Sequence, residues 1–312
     1  MLDLYLDGID ADGVLAEKTR FDYRHDANDY VRPLLGARKV RDVTPEVLLA
    51  WQRKLLESGG VKTGGPLAPN TVRLARAPLA GALKLALTTG IIAVNPMVAV
   101  PRPRAPRSIP RHWTPEQARE FLGFMEGDRT YPVWAFMLSS GVRIGELVWM
   151  RWGNVDLRRR RVHVVDFVST LGYDLVASDG KSRDATRSID LDDALVRVLR
   201  AQRKLQAEER LAAANYLDSD YVFTRPAGGS YHPANLSKLL GRMTAEIGLP
   251  PLTAHGLRHT SATLMLANGV PPKVAAERLG HADATLFSNL YSHVTPTMQR
   301  EAADKIGAAL FS

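Results

Sequence analysis

The stretch HGLRHTSATLMLANGVPPKVAAERLGHADATLFSNLYSH runs from His255 to His293. Four histidines, two arginines and one tyrosine stand in it among small and apolar residues. Three readings compete: a metal site, a basic helix lying on DNA, or an active site. His255 and His259 are four apart, so a helix carries both on one face. A zinc-protease helix with that spacing needs a glutamate between its histidines. Arg258 stands there instead and would repel a dication, which argues against metal. His259 leads into the apolar run TSATLML and reads as a packing residue, whereas His255 at the helix start can face a ligand.

Arg258 is flanked by small and apolar residues, and no acid lies at i±3 or i±4. A buried guanidinium needs an anion, and one without a local carboxylate points to an external one. Arg143 repeats the pattern in SSGVRIGELVWM (139–150), where it is expected to be partly buried. There Glu146 at i+3 is either a plain counter-ion or the residue that orients an arginine gripping phosphate in a dry pocket. Two arginines can each donate paired hydrogen bonds to the non-bridging oxygens of one phosphate. They would offset the extra charge of a pentacoordinate transition state. Tyr291, ten residues after His281, is either packing or a nucleophile. A phenol with pKa about 10 needs a base and positive charge nearby to attack.

Outward from this stretch, the chain of 312 residues has room for two domains. Its formal charge of +8 favours an acidic partner, nucleic acid first, with a basic housekeeping enzyme as the alternative. The absence of cysteine excludes disulfides and thiolate zinc sites. No apolar run is long enough for a membrane span, and MLDLYLDGIDADG (1–13) lacks the basic start of a signal peptide. A cytoplasmic protein is expected.

Residues 100–112, VPRPRAPRSIPRH, alternate four prolines with four arginines and read as an extended linker. Its arginines, Arg104 among them, suit either a strap over phosphates or a solvated connection. Before it, the patterning predicts a small helical bundle over residues 1–99. One helix follows Thr19 as cap, and another is capped by Thr44 with Pro45 at its first position. Its apolar stripe is Leu48, Leu49, Trp51, Leu55 and Leu56. A third helix (70–90) has an apolar face of Leu74, Ala77, Gly81 and Leu85, with Pro78 kinking it or shifting its start. Arg73 and Arg76 then point elsewhere, towards DNA. After the linker, TPEQ (114–117) forms a capping box, and helices follow at about 130–139 and within 141–157. RRVHVVDFV (160–168), GYDLVAS (172–178) and TRSIDL (186–191) read as strands, with DGKSRDA (179–185) as the turn between the last two. Further helices follow from about residue 192. In one of them, NLSKLLGRM (235–243), Lys238 and Arg242 are candidate phosphate contacts. The class is α+β, mostly helical with one small antiparallel sheet.

With these residues together, the chain resembles the tyrosine recombinases, also called the phage integrase family. SSGVRIGELVWMRWGNVDL looks like the family's arginine box, and HGLRHTSATLMLANG…AERLGHADATLFSNLYSHV like its H-x-x-R, G-H and tyrosine boxes. The resemblance covers nearly the whole chain. It implies a SAM-like core-binding domain at 1–99, a linker at 100–112, a catalytic domain at 113–294, and a terminal helix at 295–312. That helix carries Met298, Ala302, Ile306 and Leu310 on one face; by the resemblance it would be exchanged between subunits, with docking onto its own domain as the alternative. The resemblance also implies roles. Tyr291 would attack the scissile phosphate and form a 3′-phosphotyrosyl link. Arg143, Arg258 and His281 would bind the non-bridging oxygens. His255 would act as general base, Lys181 would protonate the departing 5′-oxygen, and Glu146 would support them.

Neither metal, ATP nor any other cofactor is implied. The implied partners are duplex DNA with specific core attachment sites and, on that DNA, three further copies of the chain. The protein would be a monomer when free, and a directionality factor is a candidate further partner. Integration and excision of phage or mobile-element DNA is the leading function. Xer-like resolution of chromosome or plasmid dimers, or type IB topoisomerase activity, is the alternative. Two positions depart from the family pattern: HDLRH reads HGLRH, and the threonine usual before the tyrosine is replaced around Phe287. The core-binding helices begin within the first ~20 residues, so no room for an arm-site domain is expected ahead of them.

Overall fold

Capping chemistry sets several helix starts in the computed structural model. The structure describes the chain except Lys62, 107–110, Asp166, 179–185, 281–299, 301–303, 305, 307 and 309–312. The chain divides into two units: Met1–Ser108 with Thr170–Gly172, and Ile109–Ser169 with Tyr173–Ser312.

The first unit is helical: α1 (Leu2–Asp12), α2 (Glu17–Asp26), a π turn (Ala27–Val31), α3 (Arg32–Leu35), α4 (Pro45–Ser58) and α5 (Pro69–Thr88). Thr44 caps α4 by accepting from the Val47 N–H at 3.4 Å. Thr19, by contrast, lies inside α2, whose N-cap is Ala16. Leu48, Trp51 and Leu55 of α4 enter the core, while Leu49 is 38% exposed. On α5 the buried side is Val72, Ala75, Arg76, Leu79, Ala82, Leu83 and Ala86, and Leu74 is exposed. The expected face was therefore turned. Apolar residues surround this helix, and small alanines let its neighbours approach where the larger leucines had suggested the stripe. Gly81 does face a neighbour, because a Cβ there would lie 2.1 Å from the Tyr5 ring of α1. The helix runs through Pro78.

The second unit begins with α6 (Pro115–Phe124), whose capping box joins Thr114 and Gln117 reciprocally. Next come α7 (Tyr131–Ser140), α8 (Ile144–Trp149), β1 (Val155–Asp156), β2 (Arg161–Val164), β3 (Phe167–Leu171), β4 (Asp174–Ser178) and β5 (Arg187–Asp190). The remaining elements are α9 (Asp193–Ala212), α10 (Pro233–Glu246), α11 (Ala254–Ala267) and α12 (Pro272–Leu279). α7 is buried almost all round, with Val133, Trp134, Phe136 and Met137 at or below 1% exposure. It ends at Gly141, φ 67°.

Two sheets replace the single expected one: β1-β2-β5, antiparallel, and β3-β4. The run at 160–168 is two strands because its period-2 pattern, with Val162 and Val164 buried, stops at the Val164–Val165 pair. In the β2–β5 register Val162 pairs with Ile189 and Val164 with Arg187, so Arg187 sits on the buried side of the sheet. Of the terminal helix, the structure describes Arg300, Asp304, Ile306 and Ala308. They are helical and exposed.

Candidate active site

The site grows from three chain ends that meet. Gly141 closes α7, Arg143 opens α8, and Gly280 closes α12. Gly141 and Gly280 both have φ 67°, a conformation that costs a residue with a Cβ dearly. Space demands glycine as well. A Cβ at 141 would lie 2.2 Å from Leu279 Cδ2, and one at 280 would lie 2.8 Å from Arg187 Nη1.

Three consecutive carbonyls at the end of α12 each receive one guanidinium. Arg187 Nε donates to Arg278 O at 2.8 Å. Arg258 Nη2 donates to Leu279 O at 2.7 Å, and Arg143 Nη2 to Gly280 O at 2.9 Å. These are the carbonyls a helix leaves unsatisfied at its C-terminus, where positive charge is favoured. Residues more than a hundred positions apart in the chain thereby converge immediately before His281.

Glu146, 2% exposed, supplies the negative charge. It accepts from the Arg143 N–H at 2.8 Å and from Arg143 Nη1 at 2.7 Å. It also accepts from Arg187 Nη1 at 3.0 Å and Nη2 at 2.8 Å. Burial alone would raise the Glu146 carboxyl. The hydrogen bonds and charge of Arg187, then those of Arg143, outweigh it and hold the group below the usual glutamate value. The side chain of Arg143 is 44% exposed, in keeping with the partial burial expected, and the fully buried partner is the glutamate.

Arg258 is the arginine that is buried, at 2% exposure. Its Nη1 donates to Gly141 O at 2.8 Å, and among the described residues its Nε has no hydrogen-bond partner. Desolvation, then repulsion from Arg143 and Arg187 against the pull of Glu146, brings it down to about 9, so it stays charged at neutral pH. Among the described residues of this cluster three guanidiniums face one carboxylate, a charge surplus suited to an anion.

His255 and His259 lie on α11, which Thr253 caps by accepting from the Gly256 N–H. The rings meet edge-on, 4.6 Å between centroids. Burial, then Arg258 and Arg143, lowers His255 below its ordinary value, so it is neutral and able to accept a proton at pH 7. His259 falls to about 4 for the same first reason, aided by His255, Arg258 and His112. It is half-buried rather than a fully enclosed core residue.

Lys181, His281 and Tyr291 lie outside the described residues. Among the candidate DNA contacts, Lys238 and Arg242 are exposed one turn apart on α10, and Arg104 is exposed. Arg73 is exposed too, with its Nε donating to Pro103 O at 2.8 Å. Arg76 is a correction. It is 7% exposed, and its guanidinium donates to Gln52 Oε1 and to the carbonyls of Val100 and Pro101. It holds the end of its own unit together and is not a groove residue. The sequence reading missed Arg187. The available signal was an arginine in TRSIDL two residues from Ile189, hence on the apolar face of a strand.

The description "Phage integrase family" matches residues 111–298, more than half of the chain and all of the site above. The chain belongs to the phage integrase family. Among relatives of this chain, a tyrosine recombinase XerC-like protein of Caldanaerobacter subterraneus is 26% identical over 61% of this chain and 52% of its own length. The chain thus spans about half of that relative. The ICEBs1 integrase of Bacillus subtilis is 23% identical over 86% of this chain and 71% of its own length. Tyrosine recombinase XerD of Halalkalibacterium halodurans is 25% identical over 92% and 90%. In fold, the chain is similar to the Tn1549 transposon integrase in complex with a circular intermediate DNA, with TM-score 0.79, 20% identity and 98% of both chains covered. It is also similar to a lambda integrase tetramer bound to a Holliday junction, with TM-score 0.68, 20% identity, and 92% and 75% covered. Both the helical first unit and the mixed second unit fall within the 98% shared with the Tn1549 fold.

Proposed function

We propose that this member of the phage integrase family is a site-specific DNA recombinase that cuts and rejoins strands through a 3′-phosphotyrosyl intermediate. It would integrate or excise phage or mobile-element DNA. The observation that carries the reading is the convergence of Arg143 and Arg258 on the adjacent carbonyls of Gly280 and Leu279, directly before His281.

In this reading the Tyr291 oxygen attacks the scissile phosphorus while neutral His255 takes its proton. Arg143, Arg258 and His281 hold the non-bridging oxygens. Lys181 gives a proton to the departing 5′-oxygen. A 5′-hydroxyl of another strand then attacks the phosphotyrosine, which restores the phosphodiester and the phenol. Each bond broken is replaced by one of equal type, so the chemistry calls for neither ATP nor metal. Residues 1–99 serve as the core-binding domain, 100–112 as the linker and 113–294 as the catalytic domain. Helix 295–312 docks on a neighbouring subunit of a tetramer assembled on core attachment sites. Arg73, Arg104, Lys238 and Arg242 contact the backbone. The setting is the bacterial cytoplasm, with a directionality factor as a further partner.

The test is a nicked duplex that traps the covalent step, its sequence selected from a random duplex pool by retention on the purified protein. Wild type should form a protein–DNA adduct that survives denaturation. Tyr291→Phe should bind the same duplex and form none; an adduct from Tyr291→Phe removes the nucleophile assignment. Xer-like dimer resolution is the second reading, favoured by the 90% coverage of the Halalkalibacterium XerD. Resolution of plasmid dimers carrying one selected site per repeat would favour it over integration.

A further inference from the structure

The charges buried around the end of α12 do more than offset one another. We infer that Arg187 is a positioning residue of the proposed active site, on whose assignment this rests: it sets Arg143 through Glu146 and pins the end of α12 that leads into His281.

The argument is geometric. The Arg187 side chain is 5% exposed and that of Glu146 2%. Arg187 meets Glu146 with both Nη atoms, a paired fork that fixes orientation as well as distance. Each carboxylate oxygen then takes one bond from Arg187 and one from Arg143. The rotamer of Arg143 is therefore dictated by a carboxylate whose own position Arg187 dictates. The Nε of Arg187 points the other way, to Arg278 O. Its Nη1 also lies where a Cβ of residue 280 would stand, so the glycine at 280 admits the guanidinium. A closed ring results: Arg187 to Glu146, to Arg143, to Gly280 O, and back along the α12 backbone to Arg278 O and Arg187.

This ring joins β5, α8 and α12, three elements that share no local sequence. Among the described residues, both Nη atoms of Arg187 donate to Glu146 and its side chain is 5% exposed, so Arg187 acts through Glu146. Buried ion pairs are often no more stabilising than apolar replacements of the same volume. What this pair adds is alignment, since phosphoryl transfer depends on donors held to within a fraction of an ångström.

The test uses the full chain and the selected nicked duplex, under single-turnover conditions at saturating DNA, with rates expressed per folded molecule. Arg187→Met should bind the duplex yet form adduct about 30–100-fold more slowly, the scale of a ~1 Å misplacement. Arg187→Lys, which keeps the charge but loses the fork, should be slowed about tenfold. In an Arg143→Lys background, Arg187→Met should add less than about threefold, because both act through one arginine. A second fall in rate, at a pH below the one set by His255, should also move to higher pH in Arg187→Met. Glu146, still buried but facing one cation fewer, protonates more easily and then releases Arg143. Glu146→Gln should remove this second fall and leave the one set by His255.

A purely structural Arg187 would lower the folded fraction and leave this profile in place. If Arg187→Met does not fold, Arg187→Lys carries the rate and double-variant readouts; it keeps the cation beside Glu146, so the pH shift is read in Arg187→Met alone. An Arg187 variant within about threefold of wild type, full multiplication with Arg143→Lys, or a second fall in rate that stays in place in Arg187→Met overturns the inference and leaves the active-site reading standing. A wild type that forms no adduct overturns both.

Discussion

Replacing Arg258 with methionine separates what this residue does for the fold from what it does for the reaction. Methionine keeps much of the aliphatic stem and removes the guanidinium. At neutral pH the lowering of Arg258 to about 9 corresponds to ~5 kcal/mol of unfavourable burial and repulsion, which the substitution relieves. Against this, the carbonyls of Gly141 and Leu279 lose their donors. Two buried acceptors left unpaired cost about 1–3 kcal/mol each, together about 2–6. The net runs from ~3 kcal/mol stabilising to ~1 kcal/mol destabilising, so the folded protein should survive with a melting shift of about ten degrees at most.

Adduct formation should fall at least 10²–10³-fold, roughly the loss from removing one preorganised donor to a developing oxyanion. The measurements are urea unfolding followed by fluorescence, and single-turnover trapping on the nicked duplex. A second check uses inorganic sulfate, which should raise the melting temperature of wild type and leave Arg258→Met unchanged. A variant that loses more than about 4 kcal/mol of stability while cleaving within tenfold of wild type per folded molecule would make Arg258 a structural residue and sink the reasoning.

Cleavage should fall as pH drops through a midpoint below the ordinary histidine value of about 6.5, because protonated His255 cannot accept the tyrosine proton, and His255→Gln should abolish that limb. Above the midpoint the rate should be flat to about pH 8, as stopped assays at fixed ionic strength can check. Arg76→Met should cost about 2–4 kcal/mol in urea unfolding, since it leaves Gln52 Oε1 and the Val100 carbonyl without their donor while Pro101 O keeps Gln52 Nε2, and should leave the salt dependence of DNA binding unchanged. Lys238→Ala with Arg242→Ala should lower the slope of log affinity against log salt by about 1.8 while the fold stays intact, as fluorescence anisotropy would measure; an unchanged slope removes α10 from the DNA interface.

Much of the fold was legible because its signals are local. A threonine before proline or three residues before glutamine satisfies backbone N–H groups within one turn. α4 and α6 therefore begin where the sequence says. Period-2 burial located β2 and β5 for the same reason. The rotation of α5 was not legible. A helix with apolar residues all round offers several faces, and the choice belongs to the neighbours that pack on it. Arg76 changed role with that rotation, from a presumed groove contact to a buried clasp on Gln52 and Val100.

The site divides along the same line. By itself the sequence determined which residues are chemically conspicuous: Arg143 and Arg258 without solvated surroundings, His255 at a helix start, and the spacing from His281 to Tyr291. Those are properties of residue type and order. Only the tertiary structure decided how they act together. It turned Arg258 inward onto the carbonyls of Gly141 and Leu279 and left Arg143 half exposed. It also brought Arg187 against a glutamate 41 positions earlier. The physical reason is that a buried charge is tolerated only where distant chain segments satisfy its donors together, and no local pattern records which segments those will be.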